Sequence, residues 1–396
     1  MTGDASARRS AWRFILLVGV TNLFADMTYE GARGVTGDFL GHLGASATIV
    51  GIVAGGGELA GYLIRSVSGL VADRTGLYWL DVWVGYFINM ACVPALALAG
   101  AWPMAAGWMI GERVGRGIRR PAMSSILSRA GRELGSGKIF GINQALDQFG
   151  GAAGPLIVGL ILTRTNSFRT GFAALVLPAF VTLSFLALAT ASSGDIAGKI
   201  ERGDRKIPAH LSRAFWLYAF GGALFAAGYA DFALVAYHFG QANIASPASI
   251  SMLYAVAMVV AALSAPLFGF VLDRIGIIAL IAAIVVSAFA TPLVFLGSGW
   301  TTDIGVAIWG VGTVVQDSLL VALVAKVTPE EVRSTAYGIF DTIFGIAWLI
   351  GSATLGILYD HFMLALIVFS MATQFSAVIV FLWSRRSAPL RPALAT

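Results

Sequence analysis

Predominantly apolar stretches of about 20 residues or more follow one another along nearly the whole chain, and they confine what it can fold into. Six lie at roughly 13–40, 47–72, 79–99, 102–121, 138–163 and 168–190, and six more at roughly 213–240, 248–272, 277–297, 301–326, 333–358 and 362–384. Each is long enough to cross a hydrocarbon core of ~30 Å as a helix, the conformation that satisfies every backbone N–H and C=O within one segment. The expected fold is an all-α integral membrane protein with twelve transmembrane helices in two pseudo-symmetric six-helix bundles. Residues 1–190 would form the first bundle and 213–396 the second, joined by a polar cytoplasmic linker over 191–212.

Composition excludes a soluble fold: 12% of the 396 residues are charged, against about 25% in soluble domains. The 47 glycines suit helices that approach closely in lipid, and the lone cysteine, Cys92, excludes an intrachain disulfide. The N-terminus, MTGDASARRSAWRF, is basic and runs into the first apolar stretch without a small-residue cleavage site, so a retained helix is expected.

Lysine and arginine positions set the orientation, because basic loops resist translocation. Of the 26, 21 fall at the termini, in the linker or in loops on one side, counting Arg116, Arg119 and Arg120 at the end of the fourth stretch. Arg164 and Arg169 lie in a loop on the other side, while Arg33, Arg65 and Arg113 sit inside apolar stretches. Both termini and the linker are therefore expected in the cytoplasm, with the chain in the plasma (inner) membrane. The net charge of +5 reports topology, and no nucleic-acid partner is expected.

The two halves repeat. GLVADRTG, with Gly69, Asp73, Arg74 and Gly76, ends the second stretch, and GFVLDRIG, with Gly269, Asp273, Arg274 and Gly276, ends the eighth, 200 residues on. Gly141-Ile142 and Gly338-Ile339 echo one another at the fifth and eleventh. At these residues the chain resembles the major facilitator superfamily of secondary transporters over essentially its whole length. The family's loop pattern, glycine, three residues, Asp-Arg, one residue, glycine, occurs twice, although Leu77 and Tyr78 replace the basic residues that usually follow the first copy. A further family pattern in the fourth helix looks like Arg113, Arg116 and Gly117, with Arg116 in place of glutamine.

With no Gly-Lys-Ser/Thr phosphate loop and no metal spacing among His42, His210, His238 and His361, no enzymatic activity, cofactor or resident metal is expected, and the resemblance implies alternating access. The partners it implies are a small-molecule substrate, protons and membrane lipid, and the chain is expected to act as a monomer. Gly150, Gly154, Pro155 and Gly159 look like the glycine-proline run of the family's antiporters, which implies proton-driven export. The alternative is proton-coupled import or facilitation of an organic acid, a metal chelate or a divalent metal, with Arg33, Arg65 and Arg113 as anion contacts.

Ionisable residues inside apolar stretches must face one another or water, since each costs ~3 kcal/mol towards lipid. Asp26, Glu30 and Arg33 share one face of the first helix, and Glu58, Tyr62 and Arg65 form a stripe on the second. Gln144 and Asp147 lie on the fifth, and Asp231, Asp317 and Asp341 come from the second half. A carboxylate kept from water, or beside another carboxylate, holds its proton more tightly, so Asp26 or Glu30 is the expected proton carrier, with Arg33 modulating it. Fixed Glu30–Arg33 and Glu112–Arg116 ion pairs are the structural alternative. Arg113, with no acidic partner evident on its own face, would assist proton release. Gly31, Gly34 and Gly37 would let the first helix bend, and Tyr29, Tyr62, Phe149, Tyr229 and Trp309 would line a cavity. Asp73 would bridge to a helix start capped by Thr328, Pro329, Glu330 and Glu331 and so lock one state.

Overall fold

The computed structural model describes residues 2–131, 136–193, 211–329 and 332–387, and their regular structure is helical throughout. Sixteen α-helices follow in chain order: α1 Thr2–His42, α2 Ala47–Thr75, α3 Tyr78–Ala95, α4 Trp102–Gly131, α5 Ser136–Thr165, α6 Phe168–Ala174, α7 Val176–Ser192, α8 Arg213–Gly228, α9 Phe232–Gln241, α10 Pro247–Ile275, α11 Ile277–Ala288, α12 Ala290–Phe295, α13 Trp300–Val314, α14 Leu320–Val327, α15 Arg333–His361 and α16 Met363–Ser387. Adjacent short helices are pieces of one span, so the twelve expected crossings are recovered. Among the described residues, ten are long and apolar enough to cross a membrane. The other two long helices, α1 and α4, are those that carry the densest ionisable sets.

Three departures from the sequence reading have local causes. α4 continues to Gly131, ten residues past the expected end at 121, with Pro121 inside it. The seventh span breaks at Tyr229–Ala230, where Asp231 caps α9 by accepting from the Ala233 N–H at 2.9 Å. α14 ends at Val327 with Thr328 as its C-cap, and α15 begins at Arg333, past the expected cap; the Pro329 carbonyl accepts from the Val332 N–H at 3.3 Å, and Glu330 and Glu331 lie outside the described residues.

The chain divides into two compact units. The first comprises Met1–Val35, Ala60–Gly203 and Pro247–Ala255. Its core gathers Phe14, Ile15, Val18, Tyr86, Met90 and Ile126. Glycine lets its helices meet at backbone distance: a methyl group on Gly115 would lie 2.6 Å from the Asn89 nitrogen, and one on Gly117 2.6 Å from the Gly61 carbonyl oxygen. α4 thereby sits hard against both α3 and α2, and Ser68 Oγ donates to the Gly117 carbonyl at 3.1 Å.

The second unit comprises Thr36–Leu59, Asp204–Ser246 and Val256–Thr396. Aromatic rings fill its centre. Tyr229 stacks on Trp309 and Phe225 at 5.4 and 5.3 Å, and Trp348 meets Tyr229 edge-on at 5.7 Å. Outward-facing side chains in both units, such as Leu177 of the first and Leu263 of the second, are 71% exposed, as lipid contact requires.

Candidate functional site

Helical periodicity brings the polar residues of α1 and α4 into the interior of the first unit. Glu112, Arg116 and Arg119 recur four and three residues apart on α4, with Arg113 and Arg120 beside them, and all but Arg120 are buried. Glu112 is the anchor of this row. Its carboxylate meets Arg113 Nε at 3.0 Å and Arg116 Nε at 3.7 Å, and accepts from Asn89 Nδ2 at 3.0 Å. Arg113 therefore has the acidic neighbour that the sequence did not reveal, one residue away. The guanidinium of Arg116 lies 5.1 Å from the Tyr29 ring, and that of Arg119 lies 4.3 Å from Tyr86. Such stacking holds a cation that has been stripped of water. Tyr86 in turn donates to Asn22 Oδ1 at 2.5 Å.

The two acids of the α1 face have different fates. Glu30 is saturated: Oε1 meets Arg33 at 3.1 Å and Oε2 accepts from the Tyr254 hydroxyl at 2.5 Å. Asp26 lies within the fields of Arg119, Arg120 and Glu30, with Tyr29 close by. Asp147, on α5, faces Asp26 and the same two arginines. The backbone explains this meeting. A methyl group on Gly150, one turn beyond Asp147, would lie 3.2 Å from Asp26 Cβ. The buried Oδ1 of Asp147 receives no hydrogen bond among the described residues. Two carboxylates thus lie within one another's field beside a buried arginine.

Comparison with known proteins follows from this fold. The sequence profile of the Major Facilitator Superfamily matches residues 18–352, with a second match over 223–395. The chain belongs to the major facilitator superfamily. An uncharacterized protein of Mycobacterium tuberculosis is 34% identical over 378 residues, 94% of this chain and 92% of its own length. An uncharacterized MFS-type transporter of Methanocaldococcus jannaschii is 25% identical over 357 residues, 87% of this chain and 88% of its own. Among solved structures, the nucleoside transporter NupG aligns with a TM-score of 0.75 at 12% identity, covering 94% of this chain and 99% of that one. A bacterial homolog of the human lysosomal transporter Spinster aligns at 0.69 and 13% identity, covering 96% of each chain. The superfamily fold and its membership make this a multi-pass membrane protein of transporter type.

The remaining superfamily motifs have physical roles in the structure. Gly76 and Gly276 adopt φ of +73° and +63°, a left-handed conformation that glycine enters at least cost, and each closes its helix onto the residue four before it. Gly69, Arg74 and Gly269 flank these turns. Asp73 accepts from the Tyr78 hydroxyl at 2.9 Å, whereas Asp273 pairs with Lys326 at 3.3 Å and Arg274 lies 4.1 Å from the Phe270 ring. In the glycine-proline run, a side chain at Gly150 would collide with the Leu23 carbonyl and one at Gly154 with that of Met27. The Pro155 carbonyl accepts from Ser251 Oγ at 2.8 Å, and Gly159 faces Ala248 and Met252. The run seats α1 and the start of α10 on α5.

Other expected site residues are dispersed. Gln144 is exposed on α5, and Tyr62 carries the Arg65 guanidinium 5.0 Å from its ring. Glu58, Asp231, Asp317 and Asp341 belong to the second unit. There Asp231 serves as a helix cap and Asp317 sits with Gln316 in a π-helical turn over Val315–Leu319. Tyr229 and Trp309 are 2% and 6% exposed and pack on one another, while Phe149 is 66% exposed. Gly31 and Gly34 do not loosen α1, which is continuous to His42; they receive Gly154 and Tyr254 at contact distance, and Gly37 receives Ala233. The Glu112–Arg116 pair expected as the structural alternative is present, whereas Arg119 was read only as part of the basic layer at the end of the fourth stretch. Its spacing from Glu112, at seven residues, was the available signal.

Proposed function

We propose that this chain is a proton-coupled secondary transporter working by alternating access, in which Asp26 and Asp147 take up and release the proton. One observation carries the reading: close packing of α5 on α1 at Gly150, 3.2 Å from Asp26 Cβ for an added methyl, brings Asp147 into the field of Asp26 beside Arg119 in the first unit. Both ionised, they repel; with one proton between them, the pair carries a single charge against the arginine. Glu30 is the poorer carrier, because both of its oxygens are already engaged. Arg113 and Arg116 hold Glu112 and so stiffen α4.

Export in exchange for protons is the proposed direction, supported by the glycine-proline run of α5. Anion import with protons is the second reading, favoured by the excess of guanidiniums over carboxylates on α4. The distribution of lysine and arginine supports both termini in the cytoplasm and residence in the plasma (inner) membrane.

A deletion strain screened for resistance and uptake phenotypes supplies a transported compound. Proteoliposomes holding a pH-sensitive dye then report compound-dependent proton movement, whose direction relative to the compound separates export by exchange from co-transport. Asp26→Asn and Asp147→Asn should each abolish that movement. Undiminished proton flux in both variants overturns the assignment.

A further inference from the structure

Asp38 is a buried acid that the proton pair of the first unit does not involve. It lies on α1 one turn before His42, in the segment that belongs to the second unit, and is 7% exposed. Its surroundings differ from those of the other interior acids. Glu30 has Arg33, Glu112 has Arg113 and Arg116, and Asp26 and Asp147 lie in the field of Arg119. Asp38 makes no ion pair among the described residues, and its Oδ2 is buried without a hydrogen-bond partner.

Packing of α1 on α9 at backbone distance explains this burial. A methyl group on Gly37 would collide with the Ala233 carbonyl, and one on Gly41 would lie 2.9 Å from the Tyr237 ring and 2.7 Å from Gln241 Nε2. Gly37 and Gly41 share one face of α1 and let α9 come flush against it. Gly240 supplies the recess for the acid, since a methyl group there would collide with Asp38 Oδ1. The titratable groups around this seam are engaged elsewhere or turned away. His238, two residues before Gly240, falls on the opposite side of α9, where Nδ1 lies 3.0 Å from the Tyr359 hydroxyl and the ring 4.9 Å from Phe295. Tyr237 meets Tyr359 edge-on at 5.6 Å, and Asp360 of α15 caps α2. On α1 itself, Arg33 is held by Glu30, and His42 is exposed.

A carboxylate enclosed without a donor or a cation bears the full cost of leaving water, and the neutral acid avoids it. We infer that Asp38 is a second proton site: α1 and α9 close on one another when it is loaded and part when it is empty. The site goes beyond the Asp26 and Asp147 reading and does not rest on it. By linkage, the closed seam binds the proton more tightly than the open one, so closure is complete at low pH and is lost as the pH rises.

The test places spin labels at the two helix ends, through His42→Cys and Ala242→Cys with Cys92→Ser, in the full chain in nanodiscs. The His42 replacement also removes the imidazole of α1 from the titration. Between about pH 5 and pH 9, where enclosed carboxyls titrate, the short-distance population should fall severalfold. Asp38→Asn, neutral at every pH, should hold the short distance throughout, and His238→Gln should behave as the parent. Gly240→Ala, whose methyl fills the recess, should lose the short distance at every pH.

A pH-independent distance in the parent overturns the site, and so does parental behaviour of Gly240→Ala, which keeps the test decisive if Asp38→Asn does not fold. A pH dependence that survives in Asp38→Asn and vanishes in His238→Gln assigns the proton to the imidazole and overturns it as well. The distance is read with no compound and no pH gradient. Undiminished proton flux in the Asp26 and Asp147 variants therefore overturns that pair and leaves this transition in place, and a pH-independent distance overturns Asp38 and leaves the pair.

Discussion

The two units solve the same problem, filling the interior of a helical bundle, with opposite chemistry. In the first, α4 brings Glu112, Arg113, Arg116 and Arg119 inside, and the aromatic rings of Tyr29 and Tyr86 serve as platforms for cations. In the second, α13 brings Trp309 inside, and every polar atom of that contact is answered by a neutral group. Tyr229 donates to the Trp309 carbonyl at 2.7 Å, and Trp309 Nε1 donates to the Ala230 carbonyl at 2.7 Å. Two charged contacts of the second unit sit at helix ends. Asp360 receives the Ala47 and Thr48 N–H groups at 3.1 and 2.9 Å, capping α2, and Lys326 meets Asp273 in solvent. Among the described residues the buried arginines, Arg113, Arg116 and Arg119, all lie in the first unit, whereas the second buries one carboxylate, Asp38. Interior charge costs several kcal/mol per group unless it is paired, so a network is cheaper to hold in one place than in two.

The contrast predicts a hierarchy of effects. The largest is on function: Arg119→Gln should remove compound-dependent proton movement in proteoliposomes, because Asp26 and Asp147 lose the cation that lets one proton leave. Normal proton flux in this variant would break the comparison at its strongest point.

Next is Trp309→Ala, which removes a ring packed among Tyr229, Phe232 and their neighbours. It should destabilise the chain by about 3–5 kcal/mol, as for other buried aromatic truncations. Thermal unfolding in detergent measures the loss. A variant that kept its stability but lost proton coupling would show that the aromatic unit carries chemistry after all.

A smaller effect is expected at Asp360. Asp360→Ala removes a carboxylate that caps α2 and also accepts from Thr48 Oγ1 at 2.7 Å, and it should cost about 1 kcal/mol. Asp360→Asn, which keeps an acceptor oxygen, should recover much of it. The smallest change is Lys326→Ala. Both partners of its ion pair are exposed, at 41% and 79% of the side chain, so the loss should stay below about 0.5 kcal/mol and vanish at high salt. A larger, salt-independent loss would move this pair out of the class of solvated helix-end charges.

Much of the fold was legible because a bilayer leaves few alternatives. Spans expected at 47–72, 138–163 and 168–190 compare with helices at Ala47–Thr75, Ser136–Thr165 and the pair from Phe168 to Ser192. The 200-residue repeat was legible too, and its glycines adopt matching left-handed turns. Less of the site was visible. Asp26, Glu30, Arg33, Arg113 and Asp147 do share one unit, but sequence could not tell which acid was already engaged. Glu30 looked equivalent to Asp26 until Tyr254, 224 residues away, occupied its second oxygen. Arg119 was hidden by its setting, Ile118-Arg119-Arg120-Pro121, which reads as the basic end of a span. Helical phase puts Arg119 inside on the Tyr86 ring and leaves Arg120 exposed.

Sequence alone determined the solvent, the number of crossings and the duplication, because apolar length and the need to satisfy backbone hydrogen bonds are properties of each segment taken singly. Tertiary structure decided which charges meet. Pairing of Asp26 with Asp147, saturation of Glu30 and stacking of Arg119 on Tyr86 each depend on the rotation of one helix against another, set where Gly150, Gly154 and Gly115 allow backbones to touch. No single segment encodes that rotation, since it follows from the shapes of two surfaces packed together.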